Sequence, residues 1–219
     1  VPGALIGNAQ LQPETIATID AQLFYHAEKW RMEATIFDST IDHAVGLIPY
    51  PGGGLTYING SEIDFEGLEI EGRAQLNERW FFEASYSYQS NRNANGETDR
   101  QIEPNTMFKL GITAEFESGI TVGLFNHYYG EPSDWSEFVS FSKERNPNDG
   151  DYHYLTVNVN FALESLFDNP AMRGIELSLF ADNLLASDAV YGPDIARFNL
   201  NAWPKHAERA IYGRVRFNF

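Results

Sequence analysis

Five histidines, His26, His43, His127, His153 and His206, are the side chains best suited to a transition metal, yet they form no HExxH or comparable ligand spacing. His26 and His127 fall on the hydrophilic side of alternating segments, so the histidines read as scattered residues of a wet face. Asn146, Asn148, Asp149, Gly150 and Asp151 could offer oxygen ligands to calcium. The bidentate Glu that an EF-hand loop needs is replaced by Val157, which leaves a polar turn. No Ser-His-Asp order, nucleophile elbow or phosphate-cradling loop occurs, and Gly52, Gly53 and Gly54 follow Pro51 with no helix behind them, as a flexible loop tip. The absence of cysteine removes thiolate metal sites, iron–sulfur clusters, disulfides and Cys nucleophiles. The expectation is a protein with no catalytic residue, no metal and no cofactor.

Binding chemistry is better represented. Tyr128, Tyr129, Trp135, Phe138, Phe141, Tyr152 and Tyr154 gather around one polar connection, and Tyr191, Phe198 and Trp203 lie in another. Rings beside polar groups suit a ligand vestibule, because they give large contact area at low entropic cost. The same rings would also serve to pack the loops against each other, and both readings stand at this level.

The elements that must position these residues are strands. Period-two alternation runs from end to end, with no convincing stretch of period 3.6. Leu23, Tyr25 and their odd-numbered neighbours from Thr15 to Ala27 oppose Asp20, Gln22 and His26; Trp30, Met32, Ala34 and Ile36 oppose Arg31, Glu33 and Thr35. The pattern returns over 63–76, 80–88, 108–116, 120–124, 155–163, 175–181 and 211–219, giving about nine strands joined alternately by short and long connections. In an up-and-down antiparallel sheet, that alternation places the long loops at one end.

Charge and length narrow the class. With 15 Lys and Arg against 31 Asp and Glu, the net charge is −16, which excludes a phosphate-binding nucleic-acid surface. No stretch approaches the roughly 18 apolar residues of a membrane-spanning helix. A β-barrel membrane protein stays open, because half of each span is polar. A soluble sandwich also alternates. Strands of about 10 to 14 residues exceed the usual globular strand and match a tilted bilayer span. Trp30, Trp80, Phe82, Phe116, Phe217 and Phe219 collect on the apolar face at the short-turn end, and Tyr86, Tyr88 and Tyr128 at the long-loop end, as aromatic girdles do. The opposite face carries Glu69, Glu71, Arg73, Glu83, Lys109, Arg214 and Arg216, charges that suit a wide, wet lumen. The reading is all-β: an antiparallel transmembrane β-barrel.

Several segments resemble a known family. Gly7–Asn8–Ala9–Gln10–Leu11–Gln12–Pro13–Glu14–Thr15 is similar to the Gly-Asn-Pro-x-Leu-x-Pro-Glu-Thr segment of TonB-dependent outer-membrane receptors, with Ala9 in place of the usual proline. Phe65–Glu66–Gly67–Leu68–Glu69 resembles the family's Gly-hydrophobic-Glu strand, and Arg79–Trp80 after Asn77 its turn between neighbouring strands. Asp182–Asn183–Leu184–Leu185 resembles the penultimate strand and Ala210–Ile211–Tyr212–Gly213–Arg214–Val215–Arg216–Phe217–Asn218–Phe219 the closing one. Each motif is weak alone; their order across the chain is specific.

The resemblance implies that residues 1–219 are the C-terminal portion, about nine strands, of a 22-stranded barrel whose plug and earlier strands are absent from this chain. It implies TonB-dependent uptake of a scarce nutrient, an iron–siderophore or similar small molecule, across the bacterial cell outer membrane. This chain would supply barrel wall and external loops. Partners would be outer-membrane lipid, the remainder of the receptor with its plug and N-terminal strands, the TonB complex acting through that plug, and the nutrient; no nucleic acid is expected. The terminal strand, with Tyr212, Val215, Phe217 and Phe219, would be recognised by the barrel-assembly machinery through β-augmentation, or Phe219 is an ordinary girdle residue. An odd strand count leaves an incompatible seam. Together with a start at Val1 lacking initiator Met and signal segment, it leads us to expect a removed leader or a start inside a larger protein, and either the last portion of a receptor or a partner chain that completes it. A passive porin or structural barrel, and more remotely a soluble carbohydrate-binding sandwich, are the alternatives.

Overall fold

The computed structural model describes residues 5–98, 104–130, 151–187, 191–192, 203–204 and 209–218. In chain order the strands are β1 (Leu5–Ile6), β2 (Thr15–His26), β3 (Trp30–Asp42), β4 (Val45–Pro49), β5 (Leu55–Asn59), β6 (Ile63–Gln75) and β7 (Trp80–Asn93). They continue with β8 (Thr106–Glu115), β9 (Ile120–Tyr129), β10 (Tyr152–Ala162), β11 (Ile175–Asp182), β12 (Tyr191–Gly192), β13 (Trp203–Pro204) and β14 (Ala210–Phe217). Nine of them form one sheet in the order β14-β11-β10-β9-β8-β7-β6-β3-β2, antiparallel at every pairing. These are the nine strands expected from the alternation. Among the described residues the sheet is not closed: β2 and β14 are its edges.

Register carries the side-chain parity from strand to strand. Met32, Gly72, Ala84, Leu110, Asn126 and Leu155 lie side by side across β3, β6, β7, β8, β9 and β10. The next row joins Leu23, Ala34, Ile70, Tyr86, Phe108 and Tyr128. Because opposite residues share a face, each strand adds its apolar set to one continuous wall. That wall is bare: Ile19 is 81%, Leu23 71% and Ile211 72% exposed. The buried apolar residues of the described chain are Ala74, Ala114 and Tyr152. A sandwich hides its apolar face against a second sheet; here no described element covers the greasy side of the nine-stranded sheet, and the sandwich alternative falls. Four or five outward residues per strand cover about 23 Å along the membrane normal once strands of about 3.3 Å per residue are tilted, close to the apolar band of known barrels.

The short-turn end comprises the turns 27–29, 76–79 and 116–119 and a longer β10–β11 connection. Arg79 and Glu117 form an ion pair between two of these turns. The β10–β11 connection, where the alternation showed only a link between strands, contains helix α1 (Leu163–Phe167) and a 3-10 turn over Pro170–Met172. Five residues complete too few turns for periodicity to register. Arg173 Nη2 lies 3.0 Å from Glu164 Oε1 and ties the connection together; that hydrogen bond raises the arginine's pKa.

Five short strands outside the nine-stranded sheet were not expected: β12 and β13, which pair with each other, and three more at the long-loop end. β4 and β5 form a hairpin, and β1 adds to it in parallel. The glycine tip closes the hairpin through Tyr50 N–H to the Gly54 carbonyl (3.0 Å) and Gly53 N–H to the Tyr50 carbonyl (2.9 Å). Gly53 and Gly54 have φ of 90° and 98°, values that side chains resist. Val45, Leu47, Ile48 and Leu55 break strict alternation, which hid these strands. β3 and β9 also run on, to Asp42 and Tyr129, because Asp38 and Asn126 take apolar-parity positions and end the visible pattern early.

The two faces set a paired prediction. In the assembled barrel in lipid vesicles, Leu110→Arg, outward at mid-strand, lowers unfolding free energy by about 2–4 kcal/mol, whereas the inward Ser87→Arg changes it by less than about 1 kcal/mol. Equal losses would mean that the faces are equivalent, and a larger loss for Ser87→Arg that they are reversed.

Candidate functional site

The inward face is the chemically diverse one, and its groups divide into a charged belt and an aromatic mouth. The belt is built by parity: Arg31 and Glu33 on β3, Glu69, Glu71 and Arg73 on β6, Glu83 on β7, Lys109 on β8 and His127 on β9. Arg31 Nε donates to Glu33 Oε1 at 2.8 Å, and Arg73 Nη2 lies 3.1 Å from Glu71 Oε1. The Arg73–Glu71 side chains are 62% and 52% exposed, so this pair contributes little stability and leaves a hydrated surface. Glu71, Arg73, Glu83, Ser85, Lys109 and His127 line a cavity of about 210 Å³. Nearer the short turns, Arg31, Arg73, Phe81, Glu83 and Phe125 line a larger one of about 420 Å³.

Two of the phenylalanines on this face lie over glycines of the neighbouring strand. Phe37 stands opposite Gly67 across the β3–β6 ladder, and a Cβ on Gly67 would fall 2.3 Å from Phe37 Cζ and 2.6 Å from the Tyr88 carbonyl oxygen. Phe125 stands opposite Gly111, where a Cβ would fall 2.8 Å from its ring. The rings lie over glycines, so their bulk is taken up by the wall and the interior stays open.

The aromatic mouth occupies the long-loop ends of β9, β10, β11 and β14. Tyr129 and Tyr152 stack with centroids 4.7 Å apart and planes 11° apart, and His127 lies 6.5 Å from Tyr129. Tyr154 pairs with His127 in the ladder and shares that inward face. Phe180 and Tyr212 stack at 5.2 Å and 17°, the Arg214 guanidinium sits 5.4 Å from the Phe180 ring, and the Tyr212 hydroxyl donates to Asp182 Oδ2 at 2.9 Å. Tyr129, Phe180 and Tyr212, held by stacking and one charge-assisted hydrogen bond, form an amphipathic surface open to a polar ligand, while Tyr152 is buried against Tyr129 and supports it. They offer no nucleophile–base pair, and among the described residues no group of three His, Asp or Glu side chains could hold a metal.

Of the sequence-derived ligand candidates, Tyr129, Tyr152 and Tyr154 therefore come together on the inward face. Tyr128 stands on the outward face, in register with Phe108 and Tyr86. The backbones of Tyr191–Gly192 and Trp203–Pro204 pair as β12 and β13. Trp135, Phe138, Phe141 and Phe198 lie outside the described residues. In the terminal strand Tyr212 faces inward, opposite Phe180, and Val215 outward, opposite Leu177; Phe217 pairs with Ile175, and Phe219 lies outside the described residues. Phe180 and Arg214 were not singled out as binding groups. The available signal was an aromatic at hydrophilic parity, the same signal that marks Phe37 and Phe125. The histidines divide: His127 faces inward, whereas His153 lies opposite Tyr128 and faces outward.

Two motif segments anchor the long-loop end. The strap before β2 holds the β4–β5 hairpin through Asn59, whose Oδ1 accepts from Gln12 N–H (2.7 Å) and whose Nδ2 donates to the carbonyls of Gln12 (2.9 Å) and His43 (2.8 Å). Asn8 Nδ2 donates to the Tyr57 carbonyl at 2.9 Å. After β11, Asn183 adopts φ 47° and is 2% exposed. Its Nδ2 donates to the Ser187 carbonyl and its Oδ1 accepts from Ser187 N–H, both at 3.0 Å. Asparagine tolerates that left-handed conformation and satisfies the turn it creates, next to Asp182 of the mouth.

The comparisons with known proteins agree with this architecture. The family model described as "TonB dependent receptor-like, beta-barrel" matches residues 2–184. Among solved structures, the copper transporter OprC superposes with a TM-score of 0.69 at 18% identity, over 96% of this chain and 33% of its own length. The pyoverdine outer-membrane receptor FpvA from Pseudomonas aeruginosa PAO1, bound to pyoverdine, gives 0.67 at 14% identity, over 95% and 30%. The ferric-catecholate import receptor Fiu from E. coli K12 gives 0.66 at 16%, over 97% and 29%. At these identities the likeness is one of fold, and the chain spans about a third of those structures, 33%, 30% and 29% of their lengths. No curated protein matches the sequence.

The Asn183 turn can be tested apart from any ligand. Asn183→Ala loses two buried hydrogen bonds and strains the left-handed residue, lowering unfolding free energy of the assembled barrel by about 2–3 kcal/mol. Asn183→Gly, which keeps the conformation, costs about 1 kcal/mol less. Urea titration of both variants reads the difference, and equal costs would show that φ at 183 carries no strain.

Proposed function

Because the chain belongs to the TonB-dependent receptor-like β-barrel family, whose members reside in the bacterial outer membrane, we propose that it forms wall and mouth of a TonB-dependent importer for a scarce small-molecule nutrient. An inward face that is ionic at mid-height and aromatic at the mouth, behind an outward wall of bare apolar residues, carries this reading. A wet, charged lumen can hold a plug through polar contacts and release it without exposing apolar surface. The rings of Tyr129, Phe180 and Tyr212, with Asp182 and Arg214 and with the buried Tyr152 behind Tyr129, give a nutrient a preformed landing surface. The chemistry is binding and translocation, with no covalent bond made or broken. Energy enters through TonB acting on a plug, and barrel assembly uses the β14 strand. An iron–siderophore is the substrate class we favour: FpvA was solved with pyoverdine and Fiu is named for ferric catecholate, while OprC is named for copper.

Uptake measurements in cells carrying the assembled receptor test this. With a panel of radiolabelled ferric siderophores, uptake of at least one is saturable and disappears when tonB is deleted. Tyr129→Ala with Phe180→Ala weakens its half-saturation by roughly tenfold, the order expected for losing about 1.4 kcal/mol of ring contact. Flux that is linear in concentration and indifferent to TonB would identify a passive pore instead.

A further inference from the structure

The outward wall has one local exception. At the outward positions of β8, β9, β10, β11 and β14, the described residues are aliphatic, glycine or phenylalanine except Thr106, Tyr128, Asn126 and His153. Asn126 and His153 meet: Asn126 Nδ2 lies 3.1 Å and its Oδ1 3.2 Å from His153 Nδ1, and the Tyr128 ring lies 5.0 Å from the imidazole at 48°. The Asp151 carboxylate lies on the side of the Tyr128 hydroxyl. Below this group, toward mid-membrane, the wall becomes Leu155, Leu124 and Val157.

A hydrogen-bonding pair on a lipid-facing surface is a cost wherever hydrocarbon alone surrounds it, and an apolar residue at either position would hold the barrel in the membrane better. The pair sits at the upper girdle, where the polar headgroups of the outer leaflet begin. Its chemistry selects among headgroup atoms. No Lys or Arg occupies the outward positions of the described β8, β9, β10, β11 and β14, and Asp151 is acidic, so the group offers a headgroup's phosphates no cation and any recognition falls to its other atoms. A sugar ring fits instead: its C–H face matches the Tyr128 and His153 rings, and its hydroxyls match the Asn126 amide, the outer imidazole nitrogen and the Asp151 carboxylate.

We propose that Asn126, Tyr128 and His153, with Asp151, form a site on the outer wall for the saccharide headgroup of an outer-leaflet glycolipid, whose acyl chain runs down Leu155 and Val157. The site rests on outer-membrane residence, not on what the lumen transports, so it stands or falls separately from the uptake reading.

Two measurements on the assembled receptor test it. First, the receptor is purified from outer membranes in mild detergent and weighed by native mass spectrometry. Wild type retains lipopolysaccharide, and His153→Leu with Asn126→Leu retains at least about tenfold less, the effect of losing about 1.4 kcal/mol of hydrogen bonding. Equal retention overturns the proposal. Second, a photoreactive residue at Thr106, beside the site, in an otherwise wild-type receptor is irradiated in phosphatidylethanolamine vesicles with and without lipopolysaccharide. Cross-linking to the glycolipid supports the site even if the leucine variants fail to assemble. Cross-linking to phosphatidylethanolamine alone, or to protein, overturns it.

Discussion

In hydrocarbon no water is present to satisfy a peptide group, so every backbone N–H and carbonyl that crosses must find its partner in a neighbouring strand. The nine-stranded sheet follows from that requirement. Its strands are long, their ladders are antiparallel without a crossover, and irregular structure is confined to the two ends. The α1 helix, the 3-10 turn and the three-stranded β1-β5-β4 sheet all lie beyond the spanning region, where water can solvate what the ladders leave unpaired. Side-chain identity then has one decision to make at each spanning position, inward or outward, and strict parity makes it.

Parity also separates two jobs that a globular core would have to combine. The outward residues serve the solvent, which is lipid, and need only be apolar. The inward residues are free of packing duties and can be Glu, Arg, Lys, His or Tyr as the lumen requires. Exposed ion pairs such as Arg73–Glu71 then act by keeping water and charge along the wall, since they add little to stability.

Much of this could be read from sequence because the signal repeats at every second residue. Trp80, Phe82, Ala84, Tyr86 and Tyr88 declared both a strand and its greasy side, and the register confirms the row each joins. What escaped had no such repetition. α1 is too short to show a helical period, and β4 and β5 carry apolar residues on both faces. The mouth was legible in part: Tyr129, Tyr152 and Tyr154 were named as binding residues, but their union with Phe180, Tyr212 and Arg214 depends on which strands become neighbours. Asn126 and His153 were invisible as a pair for the same reason, being 27 residues apart in sequence.

The pairing of Phe37 with Gly67 and of Phe125 with Gly111 bears on how such a conduit changes its calibre. Each ring reclines in a recess that its neighbour vacates by lacking a side chain, so the aperture there is governed by the partner rather than by the ring. Replacing one glycine would tip the ring into the passage and narrow it, while the lipid-facing surface two strands wide around it would be untouched. Bore size and membrane fit can thus diverge one residue at a time.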